Sequence, residues 1–115
     1  LRNHGILKQK GERTMAWYTG GILNNPAANT ILADTGAVPG GDQKVILGAD
    51  VATVCTVEWR NAANTANNAA QVIAVPANQS MDFDFRGIPF ATGERLRVRL
   101  NTTIVGNCQV SILTL

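Results

Sequence analysis

Three sets of residues carry groups that can do chemistry, and each has a spacing that says how. Asp82 and Asp84 stand two apart, so on a strand both carboxylates share one face. Such a pair can hold calcium, or act as acid and base in glycoside hydrolysis. It is equally the solvated outer face of a strand whose inner face is Met81, Phe83 and Phe85. Glu58 and Asp50 are further oxygen donors, but no loop has the spacing of an EF-hand. Arg95, Arg97 and Arg99 alternate in the same way, which puts three guanidinium groups on one sheet face. Like charges so placed repel unless something answers them. The answer is either a carboxylate of the same chain (Asp82, Asp84 or Glu58) or an external anion, a phosphate or an acidic protein surface. No aromatic residue interleaves with the arginines, as a binder of single-stranded nucleic acid requires, so nucleic acid is not expected as a partner. Cys55 and Cys108 form no CxxC motif, and no further Cys or His completes a zinc site. Both fall on the apolar side of a strand pattern, which predicts two free buried thiols; a disulfide between adjacent strands is the alternative.

The remaining parts of a catalytic kit are missing. The one histidine is His4, near the start of the chain. Ser80 and Ser111 are the only serines, and neither lies in a Gly-x-Ser-x-Gly elbow. There is no phosphate-binding Gly-x-x-x-x-Gly-Lys loop and no dinucleotide fingerprint. A nucleophile with its base and orienting acid cannot be assembled from this set. The expectation is a protein that is not an enzyme, with no catalytic, cofactor-binding or metal-binding residues and no cofactor.

The elements that position these groups read as strands. No window of helical length carries apolar residues at i, i+3, i+4 and i+7. Period-two alternation recurs instead. Thr53, Cys55, Val57 and Trp59 oppose Val54, Thr56, Glu58 and Arg60; Leu96, Val98 and Leu100 oppose the three arginines; Cys108, Val110 and Ile112 oppose Gln109 and Ser111. Shorter candidates lie at 17–19, 30–33, 44–47 and 71–75. Gly20-Gly21, Asn24-Asn25-Pro26, residues 39–42, 76–78 and 87–89, Thr92-Gly93 and Gly106-Asn107 punctuate these runs with turn chemistry. The Asn- and Ala-rich segment 61–70 is expected to be an exposed loop. About seven or eight short antiparallel strands predict an all-β fold, a β-sandwich of jelly-roll type.

Composition agrees. The chain has 115 residues, 45% hydrophobic and only 16% charged, against roughly 25% charged in an average soluble domain. This excludes collagen, coiled coils and charge-rich disorder. The net charge of +2 is too small to argue for nucleic acid. There is no signal-peptide h-region and no stretch of about 20 apolar residues, so neither export nor a membrane is predicted.

The charge depends on residues 1–14, which read as a translated leader or as a basic N-terminal arm. Lys10-Gly11-Glu12 can be encoded AAA-GGA-GAA, which contains a bacterial ribosome-binding sequence, and Arg13 and Thr14 space it from Met15. Residues 15–115, expected to be a single β-sandwich domain, keep six basic and seven acidic residues and no histidine.

Trp59, Phe83 and Phe85 share predicted inner faces and are expected in the core. Trp17 and Tyr18 lie in an edge-like segment. Together with Arg95, Arg97 and Arg99 they are the candidate contacts with another subunit or a protein partner.

The runs Val57-Glu-Trp-Arg-Asn-Ala-Ala-Asn-Thr65, Val75-Pro-Ala-Asn-Gln-Ser-Met-Asp-Phe83, Gly93-Glu-Arg-Leu-Arg-Val-Arg99 and Val105-Gly-Asn-Cys-Gln-Val-Ser-Ile112 resemble small β-sandwich virion proteins of tailed bacteriophages, including capsid decoration proteins. The resemblance covers about residues 43–115 and rests on phrasing and strand order, without a diagnostic motif. It implies a homo-oligomer, a trimer by preference, that binds the major capsid protein or another virion protein. It also implies a place on the virion surface after assembly in the bacterial host cytoplasm. Two other readings fit the same residues. One is a carbohydrate- or receptor-binding module of a phage fibre, using Trp17, Tyr18 and the 61–70 segment. The other is a cellular adhesion or filament subunit that exchanges a donor strand.

Overall fold

The computed structural model of the chain describes residues 6–8, 14–37 and 42–115. Its elements are β1 (Ile6–Lys8), β2 (Thr14–Asn24), β3 (Ile31–Asp34), β4 (Gln43–Ala49), β5 (Thr53–Arg60), β6 (Asn67–Val75), β7 (Gln79–Phe85), β8 (Arg95–Leu100) and β9 (Asn107–Thr114). No helix of the described residues is long and apolar enough to cross a membrane. His4 and the turn expected over 39–41 lie outside the described residues.

The pairings are nested. β2 pairs with β9, β3 with β8, β4 with β7 and β5 with β6, all antiparallel. The ladder then curls so that β4 also pairs with β9 and β5 with β8. Two sheets result, β1-β2-β9-β4-β7 and β3-β8-β5-β6. Strands β2 to β9 thus form two four-stranded sheets related by a rolled-up hairpin, which is the jelly-roll architecture. β1 adds a fifth strand outside β2.

Period-two alternation builds the core between the sheets. Val45 and Leu47 on β4, Cys55 and Val57 on β5, Leu96, Val98 and Leu100 on β8, and Val110 and Ile112 on β9 all point inward and are buried. Leu32 of β3 joins them. Each large side chain so buried contributes about 2 kcal/mol against an exposed reference, which opposes the chain entropy lost on ordering.

Asparagine carries much of the turn geometry. Asn25, Asn29, Asn64 and Asn78 all adopt left-handed φ between 49° and 69°, a conformation that the short amide side chain tolerates. The heavy use of Asn in the sequence is therefore partly a consequence of tight strand connections.

The structure corrects two local expectations. Gly20-Gly21 does not end a strand. β2 runs through it with a bulge between Thr19 and Gly21, where Gly21 has φ +72°. The segment 61–70 is not loop throughout, because β6 begins at Asn67. Asn and Ala have weak strand preference, but the backbone of β5 is a template that overrides it, pairing Trp59 with Ala69 and Glu58 with Ala70.

Candidate functional site

The arginine row lies on the outer face of the sheet β3-β8-β5-β6. Inward Leu96, Val98 and Leu100 force Arg95, Arg97 and Arg99 outward. Register sets Glu58 of β5 beside Arg97 and Thr56 beside Arg99. Glu58 is therefore on a nominally solvent-facing side, yet only 2% of it is accessible. Its Oε1 accepts from Arg97 Nε, and its Oε2 accepts from Arg99 Nε at 3.0 Å and from Asn67 Nδ2 at 3.1 Å. Burial pushes the Glu58 carboxyl up, but hydrogen bonds from Arg97, Asn67 and Arg99, with the charge of Arg97, outweigh it and hold it below the ordinary value. Arg95 Nη1 meets Asp34 Oδ2 at 3.2 Å, while the buried Arg95 Nε has no hydrogen-bond partner among the described residues. Arg99 Nη1 donates to Asn29 Oδ1 at 3.1 Å.

The three arginines are thus tied to carboxylates of their own chain. Asp82 and Asp84 take no part in this, because β7 belongs to the other sheet. Asp82 pairs with Lys44 at 3.1 Å, and Asp84 with Arg86 at 3.2 Å. Arg86 also reaches Asp42 at 3.4 Å. Among the described residues no group of three or more His, Cys, Asp or Glu is arranged to hold a metal ion.

A second polar knot sits where β5 meets the connection from β7 to β8. Glu94 Oε1 accepts from the backbone N–H of Ala91 at 2.7 Å and from Trp59 Nε1 at 2.9 Å, while Oε2 accepts from Asn68 Nδ2 at 2.9 Å. The bond from Ala91, then that from Trp59, holds the Glu94 carboxyl below its ordinary value. Trp59 meets the ring of Phe90 edge-on, with centroids 5.7 Å apart. The indole is half-buried against the core.

Cys55 and Cys108 are free thiols, both buried. Burial, then the neighbouring Cys108, pushes the Cys55 thiol up to about 11. Burial, then Asp50, also raises Cys108. The thiols are packing groups, protonated at neutral pH.

Tyr18 pairs with the buried Ile112 and packs against the core, half-buried. The backbone of Trp17 pairs with Leu113; its side chain lies outside the described residues. The structure thus brings Arg97 and Arg99 together on Glu58, and does not join Tyr18 to the arginine row.

Sequence reasoning missed the feature that most resembles a contact surface. The sandwich is unsealed where the edge strands β6 and β7 face each other. Ala69 and Gln71 are register partners of Trp59 and Val57, so they point into the sandwich, yet both are exposed. Met81, Phe83 and Phe85 of β7 also point inward and remain only half-buried. Between them lies an apolar cleft of about 280 Å³ lined by Val57, Trp59, Ala69, Ala70, Gln71, Phe85, Ile88 and Leu96. The signal in the sequence was the uncharged run from Asn67 to Val75, which reads as loop in its first half because of its Asn and Ala. No family model matches this chain, and no curated protein matches it.

Proposed function

We propose that the chain is a non-enzymatic structural protein of a virion, a capsid decoration-like module that self-associates and binds the major capsid protein. The observation that carries this reading is the contrast between the molecule's charged and apolar surfaces. The arginine row and the carboxylates of β7 are ion-paired within the chain, while among the described residues apolar side chains at the β6–β7 opening stay exposed. Surfaces of that kind serve contacts between proteins better than chemistry on a small substrate. The jelly roll supports the same reading as an analogy of architecture, since shell proteins use it widely; so do lectins, and fold alone does not assign function. Of the two aromatics that a carbohydrate-binding role would use, Tyr18 packs half-buried on the core.

The test is co-sedimentation of the purified chain with emptied, expanded capsids of the phage that encodes it. Saturable binding, in a fixed ratio to the major capsid protein, is expected. A chain that stays in the supernatant at every concentration contradicts the proposal.

A further inference from the structure

The open edge has the properties of a strand-pairing interface, and we infer that two copies of this chain join there, β6 to β6, across a two-fold axis. β6 is nine residues long, hydrogen-bonded to β5 on one side, with no charge, proline or glycine from Asn67 to Val75. Edge strands in soluble proteins are usually shortened, charged or covered, because an unpaired row of N–H and C=O groups recruits another strand. The facing edge obeys that rule, since β7 carries Asp82 and Asp84. β6 does not. Its outer face presents Val72, 62% exposed, between Ala70 and Ala74. Its inner face leaves Ala69 and Gln71 uncovered above the cleft.

The charge pattern selects a second copy as the occupant. An isologous contact sets each residue against its own surface, so any unanswered charge near the axis meets its like. Here β6 contributes none, and Asp82 and Asp84 each hold a cation of their own chain. Antiparallel pairing centred on Gln71 uses all nine residues. Gln71 faces Gln71, Val72 faces Ala70, Ile73 faces Ala69, and Asn67 and Asn68 face Val75 and Ala74. The four-stranded sheet becomes a continuous eight-stranded one. The apolar clefts of the two copies then lie beside each other, one on each side of the axis. This two-fold replaces the three-fold that the family resemblance implies. It stands on the geometry of the edge alone, so a dimer that fails to bind capsids leaves it intact.

Sedimentation velocity on the full chain, across the micromolar range, tests the inference. The wild-type chain is expected to sediment as a dimer. Gln71→Lys puts two ammonium groups at the axis while leaving the monomer's core untouched, and should weaken the dimer roughly 100-fold or more. Val105→Lys, at an 83% exposed position outside β6, should leave the dimer unchanged. Hydrogen exchange on the wild-type chain gives a readout that needs no variant. Alternate β6 amides should gain protection as concentration rises. A wild-type monomer throughout the range, an oligomer of any order other than two, a dimer insensitive to Gln71→Lys, or β6 amides whose protection ignores concentration overturns the inference.

Discussion

Glu58 shows how far a residue's role can depart from its position in a pattern. Alternation places it on the outer face of β5, and the sequence offers it as one of several acids for the arginines. The structure selects it, because register puts it beside Arg97 on β8 and next to Arg99. Three donors, Arg97, Arg99 and Asn67, then converge on it while it is buried, which no single-strand pattern reveals. Removing its charge while keeping its shape leaves two partly buried guanidinium groups unanswered. Glu58→Gln should destabilise the fold by about 2 kcal/mol at neutral pH, read from urea denaturation midpoints. The pH dependence has a definite sign. The folded-state carboxyl titrates below its ordinary value of 4.5, so its contribution is complete above that value and is lost as pH falls beneath it. The gap between wild type and Glu58→Gln should therefore narrow in acid. The thiols behave oppositely. With Cys55 pushed up to about 11 and both thiols buried, iodoacetamide at neutral pH should label neither cysteine in the folded chain and both in denaturant, read by intact mass.

At the scale of elements, strands with one apolar face were legible and their ends were not. β8 and β9 match their alternating runs closely, since every second residue is a large apolar side chain that needs burial. β2 extends well beyond its legible centre at 17–19, because a bulge carries it through a glycine pair that normally signals a turn. β6 begins four residues before its legible part, because pairing with β5 overrides the weak strand preference of Asn and Ala. The connections also have parts fitted to one another. Asn25 and Gly106 exchange hydrogen bonds, the Asn25 N–H to the Gly106 carbonyl at 2.7 Å and the Gly106 N–H to Asn25 Oδ1 at 2.8 Å. Asp50 Oδ1 accepts from the Asn107 N–H at 2.8 Å. A Cβ on Gly106 would strike Asp50 Oδ1 and come within 2.9 Å of both methyl groups of Val51. Gly106→Ala should therefore cost about 2 kcal/mol, seen as a lowered Tm, whereas the same change at Gly48, where a Cβ meets nothing closer than 3.9 Å, should be near neutral.

For the whole molecule, composition and periodicity indicated an all-β sandwich, but the nested order that makes it a jelly roll joins distant segments. Tyr18 pairs with Ile112 and Ala33 with Val98, and nothing local in the sequence encodes such partners. The open β6–β7 side was hidden for the same reason, since it exists only once β5 and β7 are placed in different sheets. Paired charges, buried thiols and an apolar edge that the described residues leave exposed are the grounds of the proposal that this module packs against other proteins. Cryo-electron microscopy of the intact native particle tests that account most directly. It predicts jelly-roll density at regular positions on the capsid surface, seated against the major capsid protein. A particle whose ordered shell lacks this density, with the chain absent from its protein content, contradicts it.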